Sequence, residues 1–116
     1  METSILTSIK KLLGIGEEYE HFDVDIIMYV NSAFMNLNQL GVGPKGGFKI
    51  GSSETTWGDF VDDRLDLEGV KTYIYLKTRL IFDPPQMGYL IEAIKEQIKE
   101  LEWRLNHQVE GEDEDG

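Results

Sequence analysis

The sequence predicts an all-α fold: a small bundle of four to five helices, with a long glycine-rich loop between the second and third that leaves room for a short β-hairpin. Three observations carry that expectation. Apolar side chains recur at helical spacing in four separate stretches. Helix-stopping glycines and one Pro-Pro pair fall between those stretches. Runs that alternate apolar and polar residues, as half-buried strands do, are few. At 116 residues the chain is expected to be one domain with a modest core.

The first helix is expected over Ser4 to Leu13, with Ile5, Leu6, Ile9, Leu12 and Leu13 along one stripe and Gly14 as the stop. Lys10 and Lys11 break the apolar run, and no cleavage site follows, so the segment does not read as a signal peptide. A short basic helix could lie on a membrane surface, but a stripe this narrow is expected to dock on a core. The second helix, "DVDIIMYVNSAFMNLNQLG", should begin with Asp23 as N-cap and Asp25 in its first turn, and end at Gly41, since glycine enters the left-handed region without cost. Val24, Met28 and Met35 lie on one side of it, and Ile26, Val30, Ala33, Leu37 and Leu40 on another. Only Asp25, Ser32, Asn36 and Gln39 form a polar strip. Such a helix is either central to the bundle or half of a subunit interface.

Gly41, Gly43 and Gly46 spell G-x-G-x-x-G around Lys45, the pattern of a phosphate-cradling loop. That chemistry needs a strand before the glycines and a helix opening directly after them, because the phosphate sits on the free N–H groups of that helix. Here a helix precedes and "FKIGSSETTW" follows, and Lys45 lacks the Ser or Thr of a P-loop. The segment from Gly41 to Thr56 is instead expected to be a loop of about sixteen residues, a length that in a compact domain is functional or disordered. A third, short helix should start near Thr56, whose hydroxyl can cap Asp59 at the third helical position. Asp59, Asp62, Asp63 and Asp66 then share a face; their spacing matches no calcium loop, and a solvated acidic face is expected. "LEGVKTYIYLKTRLIF" mixes strand-favouring residues with helical spacing; its length and freedom from Gly or Pro after Gly69 favour helix, ended by "FDPP". The last helix, Gln86 to about His107, carries Met87, Leu90, Ile91, Ile94, Ile98, Leu101 and Leu105 as a core stripe. Tyr89 and Trp103 lie opposite that stripe, with Glu96 and Glu100 between them.

Acidic residues outnumber basic ones 22 to 11, for a formal charge of −11. Five of the acids (Glu110, Glu112, Asp113, Glu114, Asp115) lie at the C-terminus, and without them the body carries −6. Residues 1–109 are therefore expected to form the domain and 110–116 a disordered acidic tail. Tight DNA binding, which needs clustered Lys and Arg, is not expected. The absence of cysteine excludes disulfides and thiolate chemistry. His21 and His107 stand apart from other ligands, and no serine sits in a nucleophile setting. No catalytic residue, metal or cofactor is predicted.

The order of elements, with "TTWGDFV", "LEGVKTYIYLKTRLIFDPP" and "IKEQIKELEWRLN", resembles the head-tail connector (adaptor or head-completion) proteins of long-tailed bacteriophages, over about residues 3 to 107. The resemblance implies a small helical subunit, without enzymatic activity or cofactor. It would act in the virion at the head-tail interface, after assembly in the host cytoplasm. The implied partners are further copies of itself in a closed ring of about twelve, the portal protein, and a stopper or tail protein. DNA would pass through without tight binding and no membrane would be involved. The expected contact residues are Lys45, Phe48, Trp57, Tyr89, Glu96, Glu100 and Trp103, and the glycines of the loop are expected to give mobility that ends on assembly. Two other functions remain open from sequence: a phage or prophage interaction module that forms no ring, and a membrane-surface protein using Ser4 to Leu13.

Overall fold

Each helix begins and ends where side-chain and backbone chemistry demand it. The computed structural model describes residues 4–60 and 67–115, and in them five helices follow one another: α1 (Ile5–Leu12), α2 (Asp23–Gln39), α3 (Trp57–Phe60), α4 (Leu67–Phe82) and α5 (Gly88–Asp115). Among the described residues there is no sheet and no hairpin, only one antiparallel bridge between Ser4 and Thr56. Ser4 caps α1 by accepting the Thr7 N–H at 3.2 Å. α1 and α2 stop alike. Gly14 and Gly41 take φ of 83° and 81°, and the N–H groups of Ile15 and Val42 reach back to Lys10 O and Leu37 O at 2.8 and 2.9 Å. In both ends this paired closure satisfies carbonyls that the helix leaves without partners.

α2 is the central helix. It packs against α4 most extensively and also against α1, and α4 in turn lies along α5. Ile26, Val30, Ala33, Phe34 and Leu37 of α2 meet Val70, Tyr73 and Ile74 of α4 in one continuous core, which Ile98, Leu101, Leu105 and Val109 of α5 close from the other side. Of the apolar stripe of α1, Ile5, Leu6 and Ile9 are covered by that same core and Leu13 is partly buried against it, whereas Leu12, expected on the same stripe, is 53% exposed, because it lies past the elements that cover the rest. No helix among the described residues is long and apolar enough to cross a membrane.

The start of α2 departs from the sequence expectation. Phe22 is its N-cap and contributes no side-chain bond, whereas Asp23 is the first helical residue. Its carboxylate is drawn away to Lys10, 2.8 Å distant and buried in α1. The Lys10 ammonium also donates to Glu17 O (3.0 Å) and Tyr19 O (2.7 Å), so one cation holds the connecting loop and the next helix to α1. Thr56 and Asp59 do meet at the start of α3, but the roles differ from the expectation: the Asp59 carboxylate accepts the Thr56 N–H at 2.8 Å and the Thr56 hydroxyl at 3.2 Å, while the Asp59 N–H donates to the backbone Thr56 O at 3.0 Å and not to the hydroxyl. Asp62, Asp63 and Asp66 lie outside the described residues.

In α4 the Tyr73 phenol is buried and donates to Glu102 of α5 at 2.7 Å. Burial and that neighbouring carboxylate hold its pKa well above the usual phenol value, so the hydrogen bond stays intact at neutral pH. Thr78, five residues further on, is fully buried with its hydroxyl unpaired. A buried donor without a partner costs about 1–3 kcal/mol, so Thr78→Val should raise stability by about 1 kcal/mol, read as a higher urea midpoint. A lowered midpoint would mean that the hydroxyl is bonded.

α5 begins two residues later than predicted and runs past His107 to Asp115. It buries Val109, an anchor that the apolar stripe drawn from sequence omits, and leaves Glu110 exposed. Carboxylates at a helix C-terminus oppose the macrodipole, so the acidic end adds no helix stability of its own. On that ground we propose 1–109 as the folded unit. Truncation after Val109 should change the unfolding free energy by under about 0.5 kcal/mol; a larger loss in thermal melting would place packing beyond 109.

Candidate functional site

The glycine loop is held at several points rather than left free. Asn31, on α2, presents its amide to the loop as a second backbone would. Its Nδ2 donates to Ile50 O at 2.9 Å and its Oδ1 accepts the Ile50 N–H at 2.7 Å. Val42 and Ile50 are buried, and Phe48 packs edge-on against Phe34 and Phe60 at 4.9 and 5.2 Å. The Ile5 N–H donates to Thr55 O at 3.0 Å. The glycines serve chain geometry. Gly43 has φ of 96°, and a Cβ there would meet Phe60 Cε1 at 2.9 Å. The expected mobility is thus replaced by anchoring, with Pro44, Lys45 and Gly46 left exposed at the tip. Gly41 ends α2, and no helix opens from the glycines, so the loop has no phosphate-binding geometry.

Lys45 and Phe48 therefore share one edge of the molecule but differ in role: Lys45 is solvent-exposed and Phe48 half-buried. Trp57 is not on the surface. It is 3% exposed, its indole N–H donates to Ser8 at 3.1 Å, and it lies 6.5 Å from the Phe34 ring. It is a core residue joining α3 to α1. Tyr89, Glu96, Glu100 and Trp103 do line one exposed strip of α5. Trp103 is 67% exposed and stacks on His107, one turn on in the same helix, with ring centroids 5.2 Å apart. Glu100 pairs with Arg104 at 2.8 Å and Glu96 with Lys99 at 3.7 Å.

Two further apolar surfaces emerge. Val24, Met28 and Met35 run exposed down the outer side of α2. Next to Met35 a shallow groove of about 440 Å³ is lined by Asn31, Asn38, Gly46, Gly47, Phe48 and Lys49. At the far end of the molecule, Ile81 closes α4 exposed, and Met87 and Leu90, expected in the core stripe, are also uncovered. α5 is long enough to account for most of the 45 Å long axis, so its first turns project past the elements that could bury them. The signal for this was the helix length set against the shorter α2 and α4, together with the Asp83-Pro84-Pro85 turn that fixes where α5 begins.

An elongated helical chain with several unlike, uncovered apolar faces has the surfaces by which a protein meets other proteins. Among the described residues no group of three or more His, Cys, Asp or Glu could hold a metal ion. The family model described as phage connector protein matches residues 5–112, and the chain belongs to that family. No curated protein and no solved structure matches it.

Proposed function

We propose that this structural connector protein forms a ring between the portal and the tail or stopper of a bacteriophage, extending the channel through which DNA leaves the head. The observation that carries the reading is the pair of unlike apolar faces, the Val24/Met28/Met35 strip of α2 and the projecting start of α5. A ring of identical subunits needs two different patches per subunit, related by a rotation that closes. The family match over residues 5–112 supports the phage setting. Net acidity suits a channel wall, since each Lys–phosphate contact would add affinity and slow a moving duplex. We propose Lys45, Phe48, Tyr89, Glu96, Glu100 and Trp103 as residues near subunit, portal or tail contacts, and exclude Trp57 as a direct contact because it is buried.

Electron-microscopy class averages of the protein mixed with its own portal ring test this: a second ring stacked coaxially on the portal is the expected result. Decoration by isolated copies without closure would leave an interaction module that forms no ring. A gel shift showing micromolar or tighter duplex binding at physiological salt would reject the channel wall.

A further inference from the structure

We propose that the Lys45–Gly46 peptide bond is a processing site for an endopeptidase that cleaves after Lys or Arg, and that the cut protein stays folded as two chains, 1–45 and 46–116. Pro44, Lys45 and Gly46 are the exposed tip of the glycine loop. One backbone hydrogen bond, from the Gly47 N–H to Pro44 O at 3.0 Å, closes the turn they make. Such an enzyme takes the lysine ammonium into a pocket with a carboxylate at its base and needs the chain on either side drawn out straight. Gly43, Gly46 and Gly47 let the backbone make that change, because glycine crosses between positive and negative φ without side-chain cost. Exposed tips of this composition are where folded chains are nicked.

The other described basic residues are protected. Lys49 is exposed, but the bond after it leads into Ile50, whose side chain is buried and whose N–H and C=O are both held by Asn31, at 2.7 and 2.9 Å. Every further Lys or Arg of the described residues lies inside α1, α4 or α5, where cleavage would first require the helix to unwind. Arg64 lies outside the described residues. Opening the tip breaks one hydrogen bond, whereas opening any of these helices breaks several and uncovers core side chains. Cleavage that samples open forms follows their population, so Lys45 is cut first.

Hydrolysis consumes one water: the C–N bond breaks, the water oxygen ends in the new Lys45 carboxylate, and the Gly46 nitrogen leaves as an amine that takes up a proton at neutral pH. The two chains are then held by contacts that the cut does not touch. The first brings α1 and α2 and the second α3, α4 and α5, and the core runs across the division, from Val30, Phe34 and Leu37 to Val70, Tyr73 and Ile74. Polar bonds cross it too: Asn31 to Ile50, the Trp57 indole to Ser8 at 3.1 Å, and Asn106 Nδ2 to Leu40 O at 2.9 Å. On either side of the cut the loop keeps its own anchor, buried Val42 before it and buried Ile50 after it.

The test is limited digestion of the full-length protein with trypsin under native conditions, followed by intact mass and N-terminal sequencing. The expected first products are 1–45 and 46–116, their masses adding to the intact chain plus one water, formed about tenfold faster than any later fragment. Before denaturant is added, the pair should elute from gel filtration as one species with the far-UV circular dichroism of the uncut protein. Lys45→Gln should slow the first cut about tenfold, and Lys49→Gln should leave it unchanged. A first cut at Arg64 or at any other basic residue, or a Lys45→Gln variant digested at the original rate, would overturn the site. Fragments that separate or lose helicity on cutting would overturn the two-chain product.

Discussion

Phe34→Ala is expected to lower the unfolding free energy by about 4 kcal/mol, the upper range for emptying an aromatic site in a core. Phe34 is 1% exposed and stands between three other rings, with Phe48, Phe60 and Trp57 at 4.9, 5.2 and 6.5 Å. These partners come from the glycine loop and from α3, segments with little regular structure of their own. Removing the ring leaves a cavity that the loop cannot fill, because Asn31 and the positive-φ Gly43 fix its path. The loss should appear as a lower urea midpoint, together with a red shift of the Trp57 emission as water reaches the indole. A change under about 1.5 kcal/mol would mean that the loop collapses freely onto α2 and is not anchored as described.

Lys10→Ala should cost about 3 kcal/mol, more than its short helix would suggest. The side chain of Lys10 is 3% exposed, and removing the ammonium strands the Asp23 carboxylate and two backbone carbonyls. The comparison with Lys10→Met separates causes. Methionine restores most of the apolar volume, so a methionine variant nearly as unstable as the alanine variant would assign the loss to the polar partners and not to packing. Full recovery in Lys10→Met would show that the ion pair contributes nothing.

The helices were legible because their ends are local. Ser4, Gly14, Gly41 and the Pro84-Pro85 pair act within one turn of the chain, and the stripes of α2 and α5 follow from a single period. What escaped depends on contacts distant in sequence. Asp23 has the residue type of an N-cap, but a buried cation thirteen positions earlier competes for its carboxylate and wins. The glycine loop has the composition of a mobile linker, yet one asparagine on α2 supplies both hydrogen bonds that a neighbouring strand would have given Ile50. Periodicity also gives the apolar side of a helix without saying how far the neighbours extend. Met87 and Leu90 are in phase with Ile98 and Leu105 but lie beyond the reach of the bundle. For the contact residues, spacing identified Tyr89 and Trp103 as outward, whereas Trp57 had no periodic pattern to place it and proved internal.

The thioethers among the described residues are distributed in a way that separates damage to assembly from damage to the fold. Met28, Met35 and Met87 are each more than half exposed, and no methionine or cysteine lies in the described core. Hydrogen peroxide converts exposed thioethers to polar sulfoxides and would therefore act on the uncovered faces first. Mild oxidation should leave far-UV circular dichroism and the thermal midpoint unchanged while reducing association between copies, and methionine sulfoxide reductases should reverse the loss. A fall in the midpoint at the same dose would show that one of the three thioethers supports the core.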